Sequence, residues 1–283
     1  MMKAKRMSFS GVLPAPAFTS VALTLIVVLL TATPAPSDDV PDFVEVPGGT
    51  FSMGAASTDA LAFDNERWPG AGDTTIPVAT FYISRHEITV AQFAAFARAA
   101  SAVVDPRAIG GPPTHPVTFV SWPHALAYSR WLTKTLANAP SAPPRVRELV
   151  RAGWRVTLPS EAQWEKAARG TDGRIYPWGS EPLRTRANYQ GSGTTPVGQF
   201  ACPECAYGLC DMSGNVWEWT RSSYQPYPYN PSANPSDDAL WVIRGGGYPD
   251  DARLIRTTTR TGAEPGARRP FMGFRVVLSP AVR

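Results

Sequence analysis

With 283 residues, 43% of them apolar and 18% charged, the chain is too apolar for intrinsic disorder and long enough for one large globular domain or two small ones. Its 23 glycines and 29 prolines together exceed ordinary usage, which argues against a fold dominated by long helices. Residues 1–35 hold three of the 27 basic residues and none of the 23 acidic ones, so the formal charge of +4 falls to about +1 beyond them and no basic nucleic-acid surface is expected.

The chain opens with Lys3, Lys5 and Arg6, then an apolar run over residues 21–30, then small residues and prolines in TATPAPSDD. That is the layout of a secretory signal, and the run is short for a stable membrane span. Residues 1–35 are therefore read as a signal peptide, with the mature chain starting between Thr33 and Val40 and a periplasmic or secreted location. No cysteine follows the run, so a lipoprotein anchor is not expected; membrane attachment would come only from an uncleaved signal anchor. Residues 36–283 contain no repeat and no linker that would divide them, and read as one domain.

Strand-like DFVEV and TFSM flank Pro47, Gly48 and Gly49, which predicts a hairpin. Residues 55–73 carry no sustained period and read as a long loop, after which VATFYIS returns to strand character. Three helices are marked by their starts. Thr89 with Gln92 and Ser160 with Gln163 form capping-box patterns, and Ser121 precedes WPHALAYSRWLTKTL with Pro123 in the first turn. Gly170 can close the third helix, and NAPSAPP reads as a helix-to-helix loop. Beyond Gly170 the chain is rich in turn formers, with short strands expected at WVIRG and GFRVVL.

Cys202, Cys205 and Cys210 fall within nine residues. In an exported chain this favours a local disulfide with one thiol left over, and both Cys202–Cys205 and Cys205–Cys210 remain open. The spacing CPEC also resembles a redox dithiol, but such motifs act at the start of a helix, and here a glycine and aromatic loop follows.

The stretch GLCDMSGNVWEWT interleaves Asp211, Asn215 and Glu218 with Trp217 and Trp219. Oxygen donors so close together suit either a hard cation or a hydrogen-bonded Asx-type turn. The paired tryptophans suit a core strand or a cleft wall.

Together, the blocks VEVPGGTFSMG, FYISRHEITVAQF, HPVTFVSW, WRVTLPSEAQWEKAARG, YPWG, PVGQF, GLCDMSGNVWEW, VIRGGGY and GFRVV resemble the formylglycine-generating enzyme, or sulfatase-modifying factor, family from about Phe43 to Leu278. The resemblance implies an α+β fold: a single irregular C-type-lectin-like domain with little regular secondary structure and structural calcium. By the same match, calcium would be held by Asp211, Gly214, Val216 and Glu218. A second calcium site would use Asn188 and Tyr189, but the QGSGTTP that follows them lacks the acidic residue the family supplies.

The family's founding reaction oxidises a client cysteine to formylglycine with oxygen and Cu(I), held by two cysteines shortly after a GGSY motif; soft Cu(I) needs the thiolates. Here GGGYPDDARLIRTTTRTG holds no cysteine. Asp250 falls near the first ligand position, Ile255 near the second, and Gly247 replaces the serine. Copper is therefore not expected. His86, His115 and His124 show no ligand spacing and read as structural or surface residues.

Asp250 and Asp251 are the candidate catalytic carboxylates, and Arg253, Arg256 and Trp217 the candidate substrate-binding residues. The expected function is an exported family member acting as a binding, accessory or divergent maturation factor on a protein or peptide-like client, without copper-dependent formylglycine synthesis. The alternative is an oxidase of a peptide-like small molecule, of the siderophore-maturation type, or a non-standard sulfatase-modifying enzyme. Asp250 or Asp251 would then serve as a base.

Overall fold

The computed structural model describes residues 40–69, 74–228, 236 and 238–281; the segment read as a signal peptide lies outside them. The strands are β1 (Phe43–Val46), β2 (Gly49–Met53), β3 (Thr74–Val78), β4 (Phe81–Ser84), β5 (Arg155–Thr157), β6 (Trp217–Ser223), β7 (Trp241–Arg244), β8 (Arg260–Ala263), β9 (Met272–Gly273) and β10 (Val277–Ser279). The helices are α1 (Val90–Ala99), α2 (Pro106–Ile109), α3 (Trp122–Leu136), α4 (Pro144–Arg151) and α5 (Glu161–Arg169). A 3-10 turn, Asp64–Glu66, interrupts the long loop after β2.

Both capping boxes form: Thr89 and Ser160 accept from the backbone of Gln92 and Gln163, whose side chains accept from the cap residues in return. Donors left over by the first turn are satisfied in this way. Ser121 behaves differently, turning its hydroxyl to His124 Nδ1 at 2.9 Å. On α3, Ala125, Tyr128, Leu132 and Leu136 recur at helical spacing and are fully buried. Their face meets Phe93 and Phe96 of α1 and Phe274 near the C-terminus, with Tyr128 and Phe274 ring centroids 5.4 Å apart.

The strands form two four-stranded sheets, ordered β1-β4-β10-β5 and β8-β7-β6-β9, and a separate β2-β3 pair. The expected hairpin between DFVEV and TFSM does not form: β1 pairs with β4 and β2 pairs with β3, both antiparallel. The cause lies on α5. Lys166 Nζ donates to Pro47 O at 2.7 Å and Gly49 O at 3.1 Å, holding the Pro-Gly-Gly corner open and sending β2 into another sheet.

Helix α5 is buried on every side, and each of its charges has a partner. Glu161 is held by the fork of Arg260 at 2.6 and 2.9 Å, while Glu165 accepts from Arg169 at 3.0 Å and also pairs with Arg244. Buried charges persist only when paired in this manner. The helix anchors the sheet carrying β6, and β6 carries the WEWT segment.

Candidate functional site

The turn before β6 is fixed by two residues with positive φ, Asp211 at 57° and Asn215 at 61°. Between them Gly214 (φ 78°) passes so close to Asn188 that an added Cβ would lie 2.3 Å from the Asn188 carbonyl oxygen, so only glycine fits. Asn215 is the hub. Its Oδ1 accepts from Asn188 Nδ2 at 3.2 Å and Thr195 N at 3.0 Å, and its Nδ2 donates to Glu87 Oε1 at 3.1 Å. Asn188 also receives Asn215 N on its carbonyl at 2.8 Å, and Tyr189 is buried in a small core with Tyr176, Ala187 and Ile255. The two segments proposed as separate calcium sites are thus joined by direct hydrogen bonds.

Within this turn Asp211 and Glu218 have different partners. Glu218 lies against Arg275, with Oε1 accepting from Nη2 and Oε2 from Nε, both at 2.7 Å, and Oε2 accepting also from Trp164 Nε1 at 2.7 Å. Asp211 takes one donor, Gly198 N at 2.7 Å on Oδ2. Its Oδ1 and Glu87 Oε2 are buried with no donor among the described residues. Each carboxyl is buried beside a like charge, an arrangement that favours protonation or a bound cation over two free carboxylates.

Burial and then the neighbouring Asp211 charge push Glu87 well above the usual carboxylate range, and burial pushes Asp211 up to about 6. His86 supplies no compensating charge, because burial and then Arg275 lower its pKa to about 4. Three buried carboxylates therefore face one guanidinium. Among the described residues no three His, Cys, Asp or Glu side chains converge as a ready metal cage. A hard cation here would use Asp211, Glu87 and backbone oxygens. Glu218, expected as a ligand, is instead held by Arg275 and Trp164. Sequence reading missed Glu87 and Arg275 as parts of this cluster.

The second cluster surrounds Trp217, which with Phe63, Asn65, Leu254, Arg260 and two threonines lines a cavity of about 390 Å³. Asp250 does not line that cavity. Its Oδ2 accepts from Trp217 Nε1 at 2.6 Å and Gly247 N at 2.8 Å, holding the indole in place, and burial raises its pKa. Ile255 is fully buried. A carboxylate engaged by two donors and an alkyl core residue do not fit Cu(I).

Asp251 Oδ1 accepts from Arg253 N at 2.9 Å and Leu254 N at 3.2 Å, which makes it the cap of an exposed turn. Arg253 stacks over Phe63 at 3.9 Å and, with Asp59, Tyr176, Glu181 and Asp251, lines a second cavity of about 610 Å³. Arg256, expected at a substrate surface, is fully buried. Both its terminal nitrogens donate to Glu66 at 2.7 Å, and Nη1 also reaches Asp59 at 3.2 Å. Its partner lies in a loop that shows no pattern in sequence.

Cys202 and Cys205 form the disulfide and Cys210 remains a half-buried thiol whose pKa is raised by burial. Of the two remaining histidines, His115 bonds to Thr194 and His124 to Ser121.

The chain is similar to known proteins over most of its length. A formylglycine-generating enzyme of Thermomonospora curvata is 29% identical over 87% of this chain and 96% of its own length. An inactive Cα-formylglycine-generating enzyme 2 of Bos taurus is 35% identical over 56% of this chain and 49% of its own. The structure of PvdO from Pseudomonas aeruginosa superposes with a TM-score of 0.69 at 26% identity, covering 86% of this chain and 96% of that one. The sulfatase-modifying factor enzyme 1-like domain matches residues 30–280, nearly the whole chain, and the protein belongs to that family.

Proposed function

We propose that this is an exported family member that binds a protein or peptide-like client at the Trp217 cleft and does not carry out copper-dependent formylglycine synthesis. The observation that carries this reading is the fate of the two copper positions: Asp250 stands behind the cleft holding Trp217, and Ile255 is packed in the core. Export rests on the leader sequence, and the Cys202–Cys205 disulfide suits an oxidising compartment. The cleft pairs aromatic and apolar walls of Trp217, Phe63 and Leu254 with the polar groups of Asn65 and Arg260, a lining suited to a peptide-like ligand.

We infer structural calcium between Asp211 and Glu87, supported by their two donorless buried oxygens and the excess of carboxylates over Arg275. Calcium would neutralise that excess and tie the turn to the segment before α1; it has no part in bond making in this reading.

The test is a Cu(I) titration of the purified chain against a chromogenic chelator, together with incubation with a Cys-x-Pro-x-Arg peptide and mass spectrometry. Neither tight copper binding nor formylglycine is expected, and stoichiometric copper with turnover would refute the reading. The raised pKa of half-buried Asp250 favours one alternative, an oxidase in which this carboxylate serves as base. That reading requires Asp250→Asn to abolish a measurable oxidation.

A further inference from the structure

A larger groove, about 1120 Å³, lies on another part of the domain, between the end of α1, one face of α3, β5 and the residues after β10. On α3 its wall is Ala127, Arg130, Trp131 and Lys134, the i, i+3, i+4, i+7 face that turns away from the Ala125–Tyr128–Leu132–Leu136 core stripe. Trp131 is half-buried, its ring 5.7 Å from Phe96 and 5.6 Å from Tyr128. Arg155 on β5 and Arg221 on β6 add two more cations, and no aspartate or glutamate lines the groove. Among the described residues, Arg130, Lys134 and Arg155 take part in no ion pair.

We propose that this groove docks an acidic amphipathic peptide segment of a partner protein. Four cations around an apolar floor attract negative charge, and the distribution of those cations selects the kind of anion. Arg130 and Lys134 stand one helical turn apart on α3, whereas Arg155 and Arg221 come from other elements. A single-headed anionic lipid presents its charge at one end only. A peptide carrying several carboxylates between apolar residues can meet cations on both walls while its apolar side covers Trp131 and the alanines. Docking is through side chains, because the outer edge of β5 is closed to strand addition: Val156 N already donates to Thr133 Oγ1 at 2.9 Å.

The experiment is selection of phage-displayed random dodecapeptides on the full chain, followed by fluorescence anisotropy of the selected peptides against wild type, Arg130→Glu/Lys134→Glu and Arg130→Gln/Lys134→Gln. Both substituted side chains are exposed, so melting curves within about 2 °C of wild type are expected and are checked first. Selected peptides should be rich in acidic and apolar residues, bind at least tenfold more weakly to the charge-reversed variant and several-fold more weakly to the neutral one, and weaken as salt rises. Selection of peptides without acidic enrichment, or equal binding to all three proteins, overturns the proposal. So does binding lost only in Trp217→Ala, which assigns the peptides to the Trp217 cleft. Co-sedimentation with phosphatidylglycerol vesicles that depends on Arg130 and Lys134, in the absence of peptide binding, would replace the peptide by a lipid surface and likewise overturn it.

Discussion

Glu218 and Arg275 meet side-on, Oε1 to Nη2 and Oε2 to Nε both at 2.7 Å, with neither side chain more than 1% exposed. Arg275 then reaches beyond the pair, donating from Nη2 to Cys210 O at 3.0 Å and from Nη1 to Ser84 O at 3.2 Å. The guanidinium thereby fastens the turn before β6 to β4.

Glu218→Ala removes the carboxylate that Arg275 meets at 2.7 Å and leaves the buried guanidinium with backbone carbonyls as its hydrogen-bond acceptors, and is expected to cost about 3–5 kcal/mol. The loss should be the same in calcium and in chelator, because the side chain serves Arg275. Urea unfolding of both states measures it. A variant of wild-type stability in chelator that had lost its response to calcium would make Glu218 a calcium ligand instead.

The Asp211–Glu87 pair sets a dependence on pH. Asp211 has a folded-state pKa of about 6, above its unfolded value near 4, so the stability it contributes is complete below about pH 4 and is lost as pH rises through about 6. Glu87, raised in the same direction, adds to this loss. In chelator, melting temperatures should therefore carry a falling component from pH 4 toward neutrality. If calcium binds between these carboxyls it displaces their protons, so the stabilisation it gives should grow over the same interval. Glu87→Gln should flatten both trends. Melting curves at pH 4, 5, 6 and 7, with EDTA or calcium, decide it, and an unchanged calcium response in Glu87→Gln would exclude this residue from the site.

Arg256 is expected to act on stability alone. Its fork on Glu66 and its contact with Asp59 tie the 60s loop to the segment before β8, and Arg256→Ala should cost about 3–5 kcal/mol with the buried Glu66 left unpaired. Arg253→Ala removes an exposed stacking contact on Phe63 and should cost under about 1 kcal/mol. If Arg256→Ala folded with wild-type stability and lost only client binding, Arg256 would belong to the binding surface.

What the sequence revealed follows the range of the interactions. The helix starts at Thr89 and Ser160 were legible because a capping box is complete within four residues. The sequence left the tryptophan pair as a core strand or a cleft wall and left two cysteine pairings open; the structure has the strand and the Cys202–Cys205 bridge, choices set by packing that the local sequence does not carry. The Pro47–Gly49 corner misled because the donor that opens it, Lys166, lies 117 to 119 residues away. Glu87 escaped notice for the same reason: it sits 128 residues before Asn215 in FYISRHEITV, where no neighbouring residue marks it as part of a carboxylate pair. Arg256 looked like an exposed loop cation because its neutralising partner, Glu66, lies 190 residues earlier.

The cysteines give a direct chemical test. Alkylation of the unfolded, non-reduced chain should modify one thiol, Cys210, and alkylation after reduction three, as read by intact mass. Because the bridge closes a loop of only three bonded steps along the chain, Cys202→Ser/Cys205→Ser should lower stability by no more than about 2 kcal/mol. Three modified thiols before reduction would remove the disulfide.

Asp250 distinguishes a positioning role from a catalytic one. Its Oδ2 receives two donors, Trp217 Nε1 and Gly247 N, and an asparagine can present a carbonyl oxygen to both. Asp250→Asn should therefore keep the indole in place, with stability within about 1 kcal/mol of wild type, client binding within about threefold, and an unchanged tryptophan emission maximum. Asp250→Ala removes the acceptor, leaves the Trp217 N–H without its partner and lets the cleft wall move. Here emission should shift and client binding should weaken at least tenfold. A carboxylate acting as base behaves otherwise: the asparagine would bind the client normally and lose turnover by two or more orders of magnitude. Both variants, compared by equilibrium binding, emission spectrum and any oxidation of the client seen by mass spectrometry, separate the two roles. Retained binding without oxidation in wild type and Asp250→Asn supports positioning, and a wild-type oxidation abolished by the asparagine supports the base.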